Sequence, residues 1–191
     1  MKTNQEIRQE SSAMLQGNWK SIVILSLVFI VISSCTGCNF PFVLFVCAPL
    51  TLGYAMTMMA FVRGNRGVAV EDIFSCFSST FYWKSIGLYL LMGIYTFLWS
   101  LLLVIPGVVK YCSYFLAPYI LADNPSMKAE EAICRSMQLM EGHKMQLFLM
   151  LVGYAILAML SAFLLFIPLL WIRPYYEVAF VKFYEEVSRL R

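Results

Sequence analysis

Two cysteines three positions apart, in Cys35-Thr36-Gly37-Cys38, have the spacing of a dithiol oxidoreductase, whose first thiolate is stabilised by a helix N-terminus. The motif sits in a charge-free stretch, so no neighbouring cation lowers a thiol pKa, and two small residues at a tight helical turn read the same way. Ile32-Ser33-Ser34-Cys35 also has the shape of a lipoprotein cleavage site. Another apolar pass follows it in place of a soluble domain, so the N-terminus is expected to be kept. Cys47, Cys76, Cys112 and Cys134 are scattered and read as packing residues. The one histidine, His143, has no His, Cys or carboxylate at ligand spacing, so neither a metal nor a cofactor is expected. No GxSxG elbow, HExxH, glycine-rich phosphate loop or intramembrane carboxylate pair is present, which argues against an enzyme. The ionisable groups that border apolar sequence are Lys110, Arg173, Glu177 and Lys182. Such groups mark a substrate path when they lie at membrane depth, and they snorkel when they lie at helix ends.

These groups are embedded in a 191-residue chain that is 61% hydrophobic, 16% aromatic and 13% charged. Its mean hydropathy is +0.75. A soluble domain carries about 45–50% apolar and about 25% charged residues, and a disordered chain is poorer still in apolar residues. Both classes are excluded, leaving a single integral membrane domain over 1–191. The net charge of +3 is small and scattered, which fits cytoplasmic Lys/Arg excess and not nucleic-acid binding.

Uncharged runs at Ser21–Val62, Ser85–Val109, Tyr111–Ala122 and Met145–Ile172 make up more than half the chain. With about 20 residues per crossing, they supply about five helical passes. Residues 1–18 read as an amphipathic segment leading to Trp19 at the interface. Ile22–Ser34 and Phe42–Val62 form a helical hairpin, followed by the loop Arg63–Gly67. Its arginines, with Lys2, Arg8 and Lys20, place the N-terminus and this loop in the cytoplasm. Residues 68–82 and 126–142 read as cytoplasmic interfacial helices, the second N-capped by Ser126, stopped at Gly142 and carrying Glu131 and Arg135 four apart. Between them lies a third pass, Ser85–Val104. Pro106-Gly107 predicts a tight turn into a short fourth pass that ends before Asp123, because one helix from Ser85 to Ala122 would run about 57 Å.

Met145 opens the fifth pass, and Pro168 breaks the apolar run. The tail to Arg191 either returns as a less apolar sixth pass or lies along the surface. If it returns, Arg173 and Glu177 pair inside the bundle and the C-terminus is cytoplasmic. The expected architecture is therefore an all-α polytopic bundle of six passes, with five as the alternative.

The segment VIPGVVKYCSYFLAPYILADNPSMKAEEAICRSMQLMEGHKMQLF then carries a resemblance. Pro106-Gly107, the run Pro118 to Asp123, Glu131-Ala132, Arg135-Ser136 and Gly142-His143-Lys144 resemble a bacterial membrane-protein family called domain of unknown function nine-seven-five. Gly53, Asp72-Ile73-Phe74 with Phe77, Arg173-Pro174-Tyr175-Tyr176 and Phe183-Tyr184 extend the likeness over nearly the whole chain. A looser likeness reaches the membrane domains of some bacterial glycerophosphodiester phosphodiesterases, without their catalytic domain. The resemblance implies an all-helical inner-membrane protein and no reaction. The leading expectation is a non-enzymatic scaffold or accessory protein that binds membrane lipids, a membrane-protein partner or a second copy of the chain. A small-molecule or lipid transporter and a dithiol redox protein using Cys35 and Cys38 are the alternatives. Arg173, Glu177, Lys110, Asp123, Glu131, Arg135 and Ser136 are the candidate functional residues.

Overall fold

The computed structural model describes residues 2–35, 40–64, 69–77, 79–163 and 168–189, and every regular element among them is helical. Helix α1 (Asn4–Leu15) opens with a reciprocal cap. The Thr3 hydroxyl accepts from the Glu6 N–H at 3.4 Å, and the Glu6 carboxylate accepts from the Thr3 N–H at 2.7 Å. Gly17, at φ +90°, turns the chain so that α2 (Trp19–Cys35) leaves at 104° to α1. Then follow α3 (Phe40–Val62), a 3-10 helix (Val70–Phe77), α4 (Ser79–Leu102), α5 (Val104–Tyr114) and α6 (Ala117–Asp123). The chain closes with α7 (Ala129–Leu139), α8 (Lys144–Phe163) and α9 (Leu169–Arg189).

Three local expectations shift. The chain reverses at Leu103, which is extended (φ −163°, ψ 145°), while Pro106 lies in the first turn of α5, where its missing N–H would have no helical partner anyway. Gly107 lets α5 press on α4, because a Cβ there would overlap the Ser100 side chain. The segment expected at 68–82 is a 3-10 helix that ends at Phe77, and residues from Ser79 onward belong to α4. The cap of α7 is Lys128, not Ser126, because the Glu131 carboxylate reaches back to the Lys128 N–H at 3.2 Å.

Polar contacts gather one end of the bundle. Arg63, just past α3, meets Asp123 at the end of α6 (2.6 Å) and Glu185 of α9 (3.4 Å). Tyr184 donates to Asp123 at 2.9 Å, and Lys84 near the start of α4 donates to the Pro125 carbonyl. Gln146, near the start of α8, donates to the Lys2 carbonyl at 2.9 Å, and Lys182 of α9 holds Glu10 of α1 at 2.9 Å. The ends of α3, α6 and α9 therefore lie beside the starts of α1, α4 and α8. Arg8 extends inward from this end, donating to the Tyr176 hydroxyl at 2.7 Å.

By length and apolarity, Leu44–Val62, Phe81–Leu102, Ile105–Asp123 and Lys144–Ser161 can each cross a membrane, and the bent α1–α2 pair would make a fifth span. Burial does not follow hydropathy: the α3 span is 67% buried, but two others of equal hydropathy are not. The strongly apolar α4 and α8 spans are only 22% and 17% buried. The charged α9 instead carries buried Tyr176, Val178, Ala179, Phe180, Val181, Phe183 and Tyr184. Leu101, Leu102, Leu103, Ile105 and Met159 are each about two-thirds exposed or more. In water such a surface would aggregate; against hydrocarbon it costs nothing.

Candidate functional site

Helix α9 runs through the interior with Arg173 and Glu177 one turn apart, so both side chains project from one face. That face closes a cavity of about 960 Å³, walled by α3, α4, α5, α6, α8 and α9 with Phe29 of α2. This volume is at the upper end of small-ligand sites, about 300–1,000 Å³. Pro174 lies between the two charged residues and removes the N–H that would bond the Leu170 carbonyl, loosening the ladder beside the cavity.

The cavity wall is dominated by tyrosine. Tyr54, Tyr89, Tyr111, Tyr119, Tyr154 and Tyr176 all contribute, with Thr51, Thr96 and Ser100 as further hydroxyls. The Tyr119 hydroxyl donates to the Glu177 carboxylate at 2.8 Å. The Tyr54 hydroxyl shares a 2.9 Å hydrogen bond with Ser26, which keeps its ring upright against Phe29, 5.0 Å between centroids. The Arg173 guanidinium lies 3.9 Å from the centre of the Phe29 ring and 5.6 Å from that of Tyr54. A desolvated cation over an aromatic face gains about 2 kcal/mol, which offsets part of the cost of bringing the arginine inside. Its Nε is buried without a hydrogen-bond partner.

Polarity is graded along the cavity. Tyr54, Tyr119, Tyr176 and Phe180 are buried at its inner end. Phe97 of α4, Val108 and Tyr111 of α5, and Phe148 and Val152 of α8 are exposed at its rim. The cavity floor thus opens to the exterior through a mostly apolar mouth edged by α4, α5 and α8.

Of the seven candidate residues, the fold brings only Arg173 and Glu177 to the cavity. The direct pairing expected of them is not formed: neither lies in an ion pair within 4 Å, since Glu177 is held by Tyr119 and Arg173 by Phe29 and Tyr54. Lys110 packs over Trp99, 4.7 Å from the ring centre, outside the cavity lining. Asp123 binds Arg63 and Tyr184 at the gathered end. Glu131 caps α7, Arg135 is exposed, and buried Ser136 donates to the Ser113 carbonyl at 2.7 Å. The Cys35 side chain and Cys38 lie outside the described residues. Among the described residues, no three His, Cys, Asp or Glu side chains come close enough to hold a metal.

Sequence reasoning missed the tyrosines. Their signal was position: Tyr54 and Tyr89 fall inside apolar passes, whereas membrane tyrosines concentrate at the interfaces. A phenol at depth needs a polar partner, and the cavity provides it.

At the gathered end, Lys2 and Lys182 hydrogen-bond Glu10 and hold its carboxyl below the ordinary carboxylate range. Arg63 is held above its ordinary value, chiefly by the hydrogen bond to Asp123. Both clusters pin helices together outside the cavity lining.

No curated protein and no solved structure matches the chain, so the looser likeness to phosphodiesterase membrane domains has no counterpart among them. Two overlapping segments, residues 1–113 and 101–191, match one family, and together they cover every residue. The chain belongs to the family described as protein of unknown function (DUF975).

Proposed function

We propose that this is a non-enzymatic integral membrane protein that holds an amphiphile, a lipid or a lipid-like molecule, in the tyrosine-walled cavity. The observation that carries the reading is the cavity's polarity gradient: charged and phenolic groups at the floor, mostly apolar side chains of α4, α5 and α8 at the mouth. A molecule entering from bilayer hydrocarbon would meet the mouth first and settle its polar group on the floor. In this reading α9 is a sixth pass, with both termini and Arg63 on the cytoplasmic side of a bacterial inner membrane. The mixed-charge face of α7 is then available to a membrane-protein partner.

A second reading, a small-molecule or lipid transporter, is favoured by Arg173 and Glu177, since ionisable groups lining an interior cavity mark transport paths. Purification in mild detergent, followed by extraction and mass identification of retained lipid, tests the first reading. A stoichiometric amphiphile that is lost when Ala155 at the cavity wall is replaced by Trp supports it. A lipid-free protein, or retention unaffected by that filling, refutes it. Flux across reconstituted vesicles that falls in Arg173 and Glu177 variants would favour transport instead.

A further inference from the structure

We infer that the amphiphile carries a zwitterionic head, with its anionic group on Arg173 and its ammonium group on Glu177. This inference rests on the amphiphile reading above and specifies the ligand of the same cavity. The two side chains have opposite charge, line one cavity and are four residues apart, about 6 Å along the axis. They nevertheless do not bond each other, and each is only partly satisfied. Arg173 has its guanidinium stacked on Phe29 and its Nε unpartnered, leaving N–H donors for an anion. Glu177 accepts a single hydrogen bond, from Tyr119, and a carboxylate has room for several more.

A purely anionic head would satisfy Arg173 and be repelled by Glu177, and a purely cationic head would do the reverse. An uncharged head would leave both half-buried groups short of partners, a costly arrangement in a low-dielectric interior. A head with a phosphate or carboxylate and an ammonium separated by a two-carbon spacer spans the turn and satisfies both. Such a head occurs at the end of acyl chains and also in free glycerophosphoethanolamine; the apolar mouth selects the lipid form.

The test is native mass spectrometry of the full chain in an uncharged detergent. It is titrated with phosphatidylethanolamine, phosphatidylglycerol and diacylglycerol of matched acyl chains, and separately with glycerophosphoethanolamine. Phosphatidylethanolamine should be retained at least about tenfold better than the other two lipids, because a hydrogen bond to a charged group is worth a power of ten or more. Glu177→Gln should abolish the preference over phosphatidylglycerol. Arg173→Gln should abolish the preference over diacylglycerol, and Arg173→Lys should keep part of it. Lys110→Ala, outside the cavity, should change neither.

Equal retention of the three lipids, or phosphatidylglycerol ahead, overturns the zwitterion assignment while leaving an amphiphile site standing. Should the variants not elute as the parent does, this ranking for the unmodified chain still decides. Glycerophosphoethanolamine competing as well as the lipid supports the head assignment and overturns the acyl-chain reading. Retention of none of the four overturns the amphiphile reading itself.

Discussion

Gly53→Ala tests how the 3-10 helix is seated. In the structure the Ile73 carbonyl oxygen occupies the place where a side chain at residue 53 would begin, and its carbonyl carbon would lie 2.9 Å from an added Cβ. Ile73 and Cys76 are fully buried, and the Cys76 thiol rests 3.3 Å from the Met56 sulfur one turn farther along α3. Relief requires the 3-10 backbone to move as a unit, because the obstruction is main chain and not the tip of a side chain. Overpacking of this kind costs about 1–3 kcal/mol. Replacing a helical glycine by alanine returns about 1 kcal/mol through propensity, so the net effect is a loss of up to about 2 kcal/mol.

Gly87→Ala in α4 is the matched control, since nothing lies within 4 Å of its added Cβ. It should gain about 0.4–1 kcal/mol. For a chain of this size each kcal/mol moves the midpoint by about 2–4 °C. Thermal unfolding in detergent should therefore separate the two variants by several degrees, with Gly53→Ala the lower. If Gly53→Ala melts with Gly87→Ala or above it, the close seating of the 3-10 helix on α3 is refuted.

Three further outcomes are expected. Ser136→Ala should lower stability by about 1 kcal/mol in the same melt, because it deprives the Ser113 carbonyl of its buried donor; an unchanged midpoint would mean α7 is not pinned to α5 there. Glu10 has its folded pKa depressed by Lys2 and Lys182, so its contribution is full above the ordinary value of 4.5 and disappears as pH falls through the lower folded value. The melting midpoint of the parent should thus drop further than that of Glu10→Gln between pH 6 and pH 3, and parallel curves would contradict the assignment. In a cysteine-free background, a cysteine at Leu103 should react with an impermeant reagent added outside intact cells, while one at Asn124 should react only after lysis; the reverse pattern would invert the topology.

Composition made the surrounding medium legible, because a chain with 13% charge has too little polar surface for water. The long apolar helices followed from uncharged length, and a reversal near Pro106, three residues from where it occurs, followed from a run too long for one crossing. What could not be read was rotation. A strongly apolar helix such as α4 has no polar face to orient it, so the sequence does not show which side meets the bundle. Tyr119 and Glu177 are 58 positions apart, and only the packing of α6 against α9 brings them to 2.8 Å. Gly53 was visible as a residue of the family pattern, but its reason, a carbonyl twenty positions downstream, belongs to the tertiary fold.

The same difficulty leaves α9 open, from sequence alone, between a sixth pass and a surface helix. Its charges lowered its hydropathy below that of a spanning helix, and hydropathy alone treats a polar residue as a reason to leave the membrane. Inside a bundle the preference reverses. Lipid faces penalise Arg173, Glu177 and Lys182, so the helix that carries them gains most by taking the centre, with the more apolar α4 and α8 turned outward. A weakly apolar helix following several strongly apolar ones is therefore an argument for a core position. Its charged residues are then the first place to look for a ligand.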